Sequence, residues 1–198
     1  VMGEVENISP GLQRKLIVNL TEPGTYQTAC KPGMIGDGIR KDFTVTGEAV
    51  PASTDEKFQR AAVDYKRYVN SQAEALVPAT EAFAAAVKAG DVTKAKTLYP
   101  NSRTYWERIE PVAESVPNDL DPRVDLREAD LEPGQKWTGF HRLEKDLWVS
   151  GIQPDTAAIA DQLVADIKEL DAGVRAPDWT IDPTQVAGGA QSLLDEVA

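Results

Sequence analysis

The sequence predicts a mainly α-helical fold: an antiparallel helical bundle preceded by a partial β-sandwich segment. Three observations predict it. Between Leu12 and Val45 short runs of β-branched and aromatic residues alternate with Pro-Gly turns. From Thr54 onward apolar residues recur at helical spacing over long stretches. Gly, Pro and Asp punctuate that second part at intervals suited to short connections between antiparallel helices. The change of texture near Ala49-Val50-Pro51 divides the chain into residues 1–48 and 49–198.

In the first part, Lys15–Leu20 reads as a strand, Glu22-Pro23-Gly24 as a turn and Thr25–Cys30 as a second strand. A glycine-rich loop, Lys31–Gly38, leads to a third strand over Lys41–Gly47. Three short strands bury little apolar surface, so further strands are expected before residue 1. In the second part, Thr54-Asp55-Glu56 places acidic residues at the positive end of a helix dipole, and the periodicity continues to about Ala89, with Pro78 expected to kink or split it. Gly90 ends that helix and Asp91 caps a second one, running through Lys94, Lys96, Tyr105, Trp106 and Ile109 to about Val116. An acidic loop, Asn118–Gly134, separates it from a third helix at Thr138–Val149 and a fourth at Asp155–Ala172. A fifth begins near Pro183 and is still helical in character at Ala198, so the chain is expected to stop within or just after an element. No internal repeat is visible.

Charge narrows the function. The 198 residues hold 32 acidic and 21 basic side chains, a net of −11, and residues 1–50 account for only −1 of it. An acidic surface repels phosphate backbones and anionic lipid, which argues against nucleic acid and favours a cationic partner. No apolar run approaches the roughly 20 residues of a membrane span. One cysteine, Cys30, cannot form an internal disulfide, so cysteine usage leaves the compartment open.

Chemistry concentrates in a few side chains. His141 is the only histidine, and Gly139-Phe140-His141-Arg142-Leu143-Glu144 sets it three residues before a glutamate, on one helix face and close enough to hold a single ion. A second pair at the same spacing, Glu107 and Glu110, lies in the preceding helix beside Trp106 and Ile109. Helical bundles build carboxylate-rich iron sites from such pairs on facing helices. Imidazole with carboxylates suits iron, zinc or manganese better than copper(I). Glu107 and Glu110 read equally as a solvated face bridged to Arg103 or Arg108. The loop acids Asp119, Asp121, Asp125 and Glu128 read first as surface charge, with Asp125 kept as a further metal candidate. Cys30 sits near a strand end before a glycine loop, where a copper-binding β-sandwich places its cysteine, but the histidines of a blue-copper site are missing. It reads first as a buried structural cysteine and second as a metal ligand with Glu4 or Glu6.

The stretch Phe83-x-x-Ala86-Val87-Lys88-Ala89-Gly90-Asp91, then Lys94-Ala95-Lys96, Trp106-Glu107-Arg108-Ile109-Glu110-Pro111, Gly139-Phe140-His141-Arg142-Leu143-Glu144-Lys145 and Gly188-Gly189-Ala190 closely resembles the EfeO iron-uptake proteins, over nearly the whole chain. The resemblance implies the end of a cupredoxin-like domain followed by the first half of an imelysin-like, or peptidase-like, helical domain, with the chain cut at both ends. It further implies a metal site at His141 and Glu144 and iron as the bound metal, with zinc or copper as other metals and no organic cofactor. A periplasmic or cell-surface location, a lipid anchor, a membrane iron permease and a haem peroxidase as partners follow from the same resemblance.

Two other functions compete. A zinc peptidase needs two helix histidines and a glutamate, as in H-E-x-x-H or H-x-x-E-H, and Lys145 stands where the inverted motif requires histidine. A structural helical adaptor would make His141 and Glu144 incidental neighbours.

Overall fold

The computed structural model describes residues 11–16, 22–32, 36–49, 56–113, 115–116, 118–181 and 186–188, with single positions elsewhere in both terminal regions. In the first part, β1 (Gly24–Cys30) and β2 (Ile39–Val45) form an antiparallel hairpin whose register runs from Gly24 opposite Val45 to Cys30 opposite Ile39. The Tyr26 and Phe43 rings, directly opposite in the ladder, stack at 5.9 Å between centroids. Almost every position of both strands is exposed. The expected first strand is not found: Lys15, Leu16, Val18 and Leu20 belong to no strand, while Ile17 and Asn19 lie outside the described residues.

The second part is built on α1 (Glu56–Lys88), whose residues Val69, Ala73, Leu76, Thr80, Phe83 and Val87 repeat every three to four positions and are buried. Thr54 and Asp55 lie outside the described residues. Pro78 does not split this helix. Proline removes one backbone hydrogen bond, but Pro78 and Glu74, whose carbonyl loses its partner, are exposed, so water can satisfy that oxygen while the opposite face packs. Gly90 turns the chain with a φ of +69°, and the Asp91 side chain accepts from the Lys94 amide at 3.0 Å, capping α2 (Val92–Glu107) as expected.

The second helix ends earlier than its pattern predicts, and α3 (Glu110–Ala113) is a separate turn. Pro111 has no N–H to offer the Glu107 carbonyl and its ring crowds that oxygen, so the helix stops at Glu107. The acidic loop also holds more structure than expected. After Asn118 and Asp119, both at positive φ, it forms α4 (Leu120–Asp125) and a 3₁₀ turn at Glu128–Asp130. The third predicted helix is α5 (Gly139–Lys145), continued by a π-helical turn, Asp146–Ser150, that ends at Gly151. The fourth is α6 (Thr156–Arg175). Of the fifth, Val186–Gly188, Ala190 and Leu194 are helical, and the remainder from Pro183 to Ala198 lies outside the described residues.

The helix α1 packs along α2 on one side and α6 on the other, and α5 and α4 close against α6. Trp106, Phe83, Phe140, Leu143, Leu163 and Ile167 are buried to 1% exposure or less. Phe83, Tyr99 and Phe140 form one aromatic cluster, with centroids 5.6 to 6.3 Å apart, that joins α1, α2 and α5. That cluster brings the exit of α2 beside the start of α5.

Candidate metal centre

The α2 residues Tyr99, Arg103 and Glu107 follow one another at intervals of four and share one helix face. Glu110 begins α3 one turn later, and Asp125 is the last residue of α4. Three contacts lock the end of α4 to the start of α5. The Thr138 hydroxyl donates to the Arg123 carbonyl at 2.9 Å, and the Trp137 indole N–H donates to the Leu126 carbonyl at 2.7 Å. Gly139, at a φ of +87°, lies so close to the Val124 carbonyl that a Cβ there would collide with it. The glycine of the Gly139-x-His141-x-x-Glu144 pattern thus permits the close approach that sets His141 beside Asp125.

Around that contact the side chains converge. Glu107, Glu110 and Asp125 each bring a carboxylate oxygen within 4.8 Å of the others. His141 Nε2 is 3.4 Å from Asp125 Oδ1, and its Nδ1 is 2.9 Å from Glu144 Oε2. The Trp106 indole N–H donates to Asp125 Oδ2 at 3.1 Å. The Arg103 guanidinium forks between Asp125 and Glu107, with its carbon 5.4 Å from the Phe140 ring centroid. Asp125 is 9% exposed, whereas the Glu107 side chain is 48% exposed and forms the rim.

Electrostatics select the protonation states. Burial lowers the His141 pKa, the hydrogen bond to Glu144 opposes this, and the Arg103 charge adds to the lowering. The ring is therefore neutral at pH 7, and assigning its one N–H to the shorter contact, Nδ1 to Glu144 at 2.9 Å, leaves the Nε2 lone pair toward Asp125. Nε2 is buried and has no hydrogen-bond partner among the described residues. Burial also raises the Tyr99 pKa well beyond the usual phenol range, against the opposing Arg103 charge and with a further rise from Glu144. Tyr99 therefore stays protonated beside Glu144, whose carboxylate receives the His141 Nδ1–H. The three gathered carboxylates, with the His141 imidazole nitrogen 3.4 Å from one of them, offer oxygen and nitrogen donors of the kind a hard or borderline metal ion takes.

The structure brings His141 and Glu144 together as their spacing predicts, and Glu107 and Glu110 meet across a helix break rather than on one helix. Glu107 also makes the Arg103 bridge of the solvated-face reading. Asp125 corrects the surface reading of the loop acids, because α4 ends with this carboxylate turned inward. Asp119 and Glu128 do stay at the surface, paired with Lys31 at 2.7 Å and with Lys145. Cys30 corrects its buried reading: it is exposed at the end of β1, and Glu4 and Glu6 lie outside the described residues. Arg103, Trp106 and Tyr99 were not anticipated as site residues, although the Tyr99-x-x-x-Arg103-x-x-x-Glu107 stripe marks one face of α2.

The comparisons with known proteins agree with one another. Residues 61–198 match the family model described as imelysin, peptidase M75. The iron uptake system component EfeO of Yersinia pseudotuberculosis is 41% identical over 202 residues, covering all of this chain and 52% of that protein. The proteins of the same name from Escherichia coli O157:H7 and Shigella flexneri are 41% and 40% identical over 205 residues, covering all of this chain and 53% of each. The chain spans about half the length of the curated relatives it matches. With the family model covering well over half of its residues, the chain belongs to the imelysin family.

Proposed function

We propose that this chain is the iron-binding segment of an extracytoplasmic uptake component, which captures iron on Asp125, Glu107, Glu110 and His141 and passes it on chemically unchanged. One observation carries the reading: the buried Nε2 of a neutral His141, without a hydrogen-bond partner among the described residues, faces Asp125 at 3.4 Å in a cluster of three carboxylates. A lone pair kept dry beside several anions is costly unless a cation is its partner. Glu144 completes the centre from the other side of the ring. By accepting from Nδ1–H it holds the tautomer and orientation in which Nε2 donates to metal. The cluster contains no sulfur, which favours iron or zinc over copper(I).

The relatives' name, iron uptake system component, supports iron as the cargo. Residues 1–48 are the end of a cupredoxin-like domain and 49–198 the first half of the imelysin-like domain. A membrane permease and a haem peroxidase of the same system are the partners, and the location is periplasmic or lipid-anchored at the cell surface. No helix among the described residues is long and apolar enough to cross a membrane.

A metallopeptidase is the second reading, favoured by the family's peptidase name. Against it, Lys145 pairs with Glu128 and lies 5.6 Å from the Trp137 ring centroid, engaged away from the carboxylate cluster. Calorimetric titration with Fe(II) under anaerobic conditions, and separately with Zn(II), tests the proposal. Wild type should bind one ion, and His141→Ala and Asp125→Asn should each weaken binding by more than about tenfold. Unchanged affinity in both variants would overturn the assignment, and metal-dependent cleavage of a peptide library would favour the second reading.

A further inference from the structure

The carboxylate oxygens that would ligate a metal are already engaged by a side chain. Asp125 Oδ2 accepts the Trp106 N–H, while Oδ1, the oxygen facing His141 Nε2, is held by Arg103. Glu107 Oε1 is held by the other arm of the same guanidinium. The Arg103 side chain is only 14% exposed and rests on Phe140, so its fork is held in place on three sides. A guanidinium does not deprotonate in a protein, so it can yield these oxygens only by moving.

We infer that Arg103 is a resident counter-cation of this centre, occupying the carboxylates in the metal-free state and displaced from them by the incoming ion. The inference rests on the metal-binding reading above. It gives the centre a stable empty state, because three gathered carboxylates would otherwise repel one another. It also sets the affinity, since every captured ion must expel a cation already bonded to the same oxygens. A cargo held against a competitor is released more readily than one held by an empty cage, which suits a protein that hands metal onward.

A purely structural Arg103, stapling α2 to α4, predicts the opposite sign. Removing a staple loosens Asp125 and weakens metal binding, whereas removing a competitor strengthens it. In Zn(II) titrations monitored by calorimetry, Arg103→Met should bind about tenfold or more tightly than wild type, as expected for losing one positive charge beside the ion. Arg103→Lys, which keeps the charge but cannot fork between two carboxylates, should fall between them. The Arg103 Nε–H resonance of the wild type, assigned by its loss in Arg103→Lys, should shift when Zn(II) saturates the protein. If wild type binds no metal, the reading of the site fails. If wild type binds and Arg103→Met binds equally or more weakly, the counter-cation inference fails. Should Arg103→Met not fold, an Arg103 resonance unmoved by saturating Zn(II) in the wild type would overturn it.

Discussion

Two arginines in this protein do outwardly the same thing. Arg103 bridges the buried Asp125 and the half-exposed Glu107, and Arg123 bridges the buried Asp166 and Glu169, whose side chain is 37% exposed. Their surroundings differ in kind. Around Asp166 the other neighbours are amide donors: Gln162 Nε2 donates to Asp166 Oδ1 at 2.8 Å, and Asn118 Nδ2 donates to Glu169 at 2.8 Å. Around Asp125 the Trp106 indole adds one donor, and the remaining neighbours are acceptors, with Glu110 in the cluster and the His141 Nε2 facing it. Amide N–H groups repel a metal ion, and gathered acceptors attract one. An arginine thus ties α4 to α6 in one place and neutralises a carboxylate cluster in the other.

The largest expected effect separates these two roles. Arg123→Ala strands the Asp166 carboxylate, which is 0% exposed, and should destabilise the fold by about 3 kcal/mol in urea unfolding. Metal should not recover that loss, because Gln162 and Asn118 present NH2 donors rather than oxygen ligands to these carboxylates. Recovery by Zn(II) would place a second metal centre there and dissolve the contrast.

Gly139→Ala comes next. It puts a Cβ into the Val124 carbonyl at a φ of +87°, which should cost about 1–3 kcal/mol and separate His141 from Asp125. Metal binding should be lost in calorimetry while the Arg123 cluster, seen as retained helicity by circular dichroism, survives. Full metal affinity in this variant would show that the close approach of α4 and α5 does not build the centre.

Glu144→Gln should leave the fold nearly unchanged and weaken metal binding by about 10- to 100-fold, the usual cost of losing a partner that orients a ligating histidine. An effect as large as that of Asp125→Asn would instead make Glu144 a direct ligand.

The smallest effect is an opposite response to acid without metal. His141, faced by Glu144 on its own helix, Asp125 on α4 and Arg103 on α2, has a pKa lowered chiefly by burial. Its contribution to stability is present above the unfolded value of about 6.5 and fades as pH falls through the lower folded value. Asp166, faced by Arg123, Gln162 and Glu169, has a pKa raised chiefly by burial. Its contribution is present below the unfolded value of about 3.9 and is lost as pH rises through the raised folded value. Thermal melting of His141→Gln and Asp166→Asn against wild type between pH 4 and 8 should show stability differences that move in opposite directions. Parallel curves would mean that burial does not govern both groups.

Periodicity and local chemistry determined much of this protein before any contact was known. The buried stripe of α1, the Asp91 cap and the span of α6 follow from apolar spacing and dipole preference, which act within a few residues. So does the pairing of His141 with Glu144, because residues three apart on a helix are neighbours in any fold. The continuity of α1 through Pro78 and the helical turns within Asn118–Gly134 were not legible for the complementary reason. Whether a proline splits a helix depends on whether water can reach the freed carbonyl, and whether an acidic loop folds depends on what it packs against. The role of Asp125 could come only from tertiary structure, since Trp106 and Arg103 reach it from 19 and 22 residues upstream and His141 from α5. A carboxylate's local sequence looks the same whether it is solvated or buried. Its chemistry is decided by the groups that replace its water, and those arrive only when distant helices close.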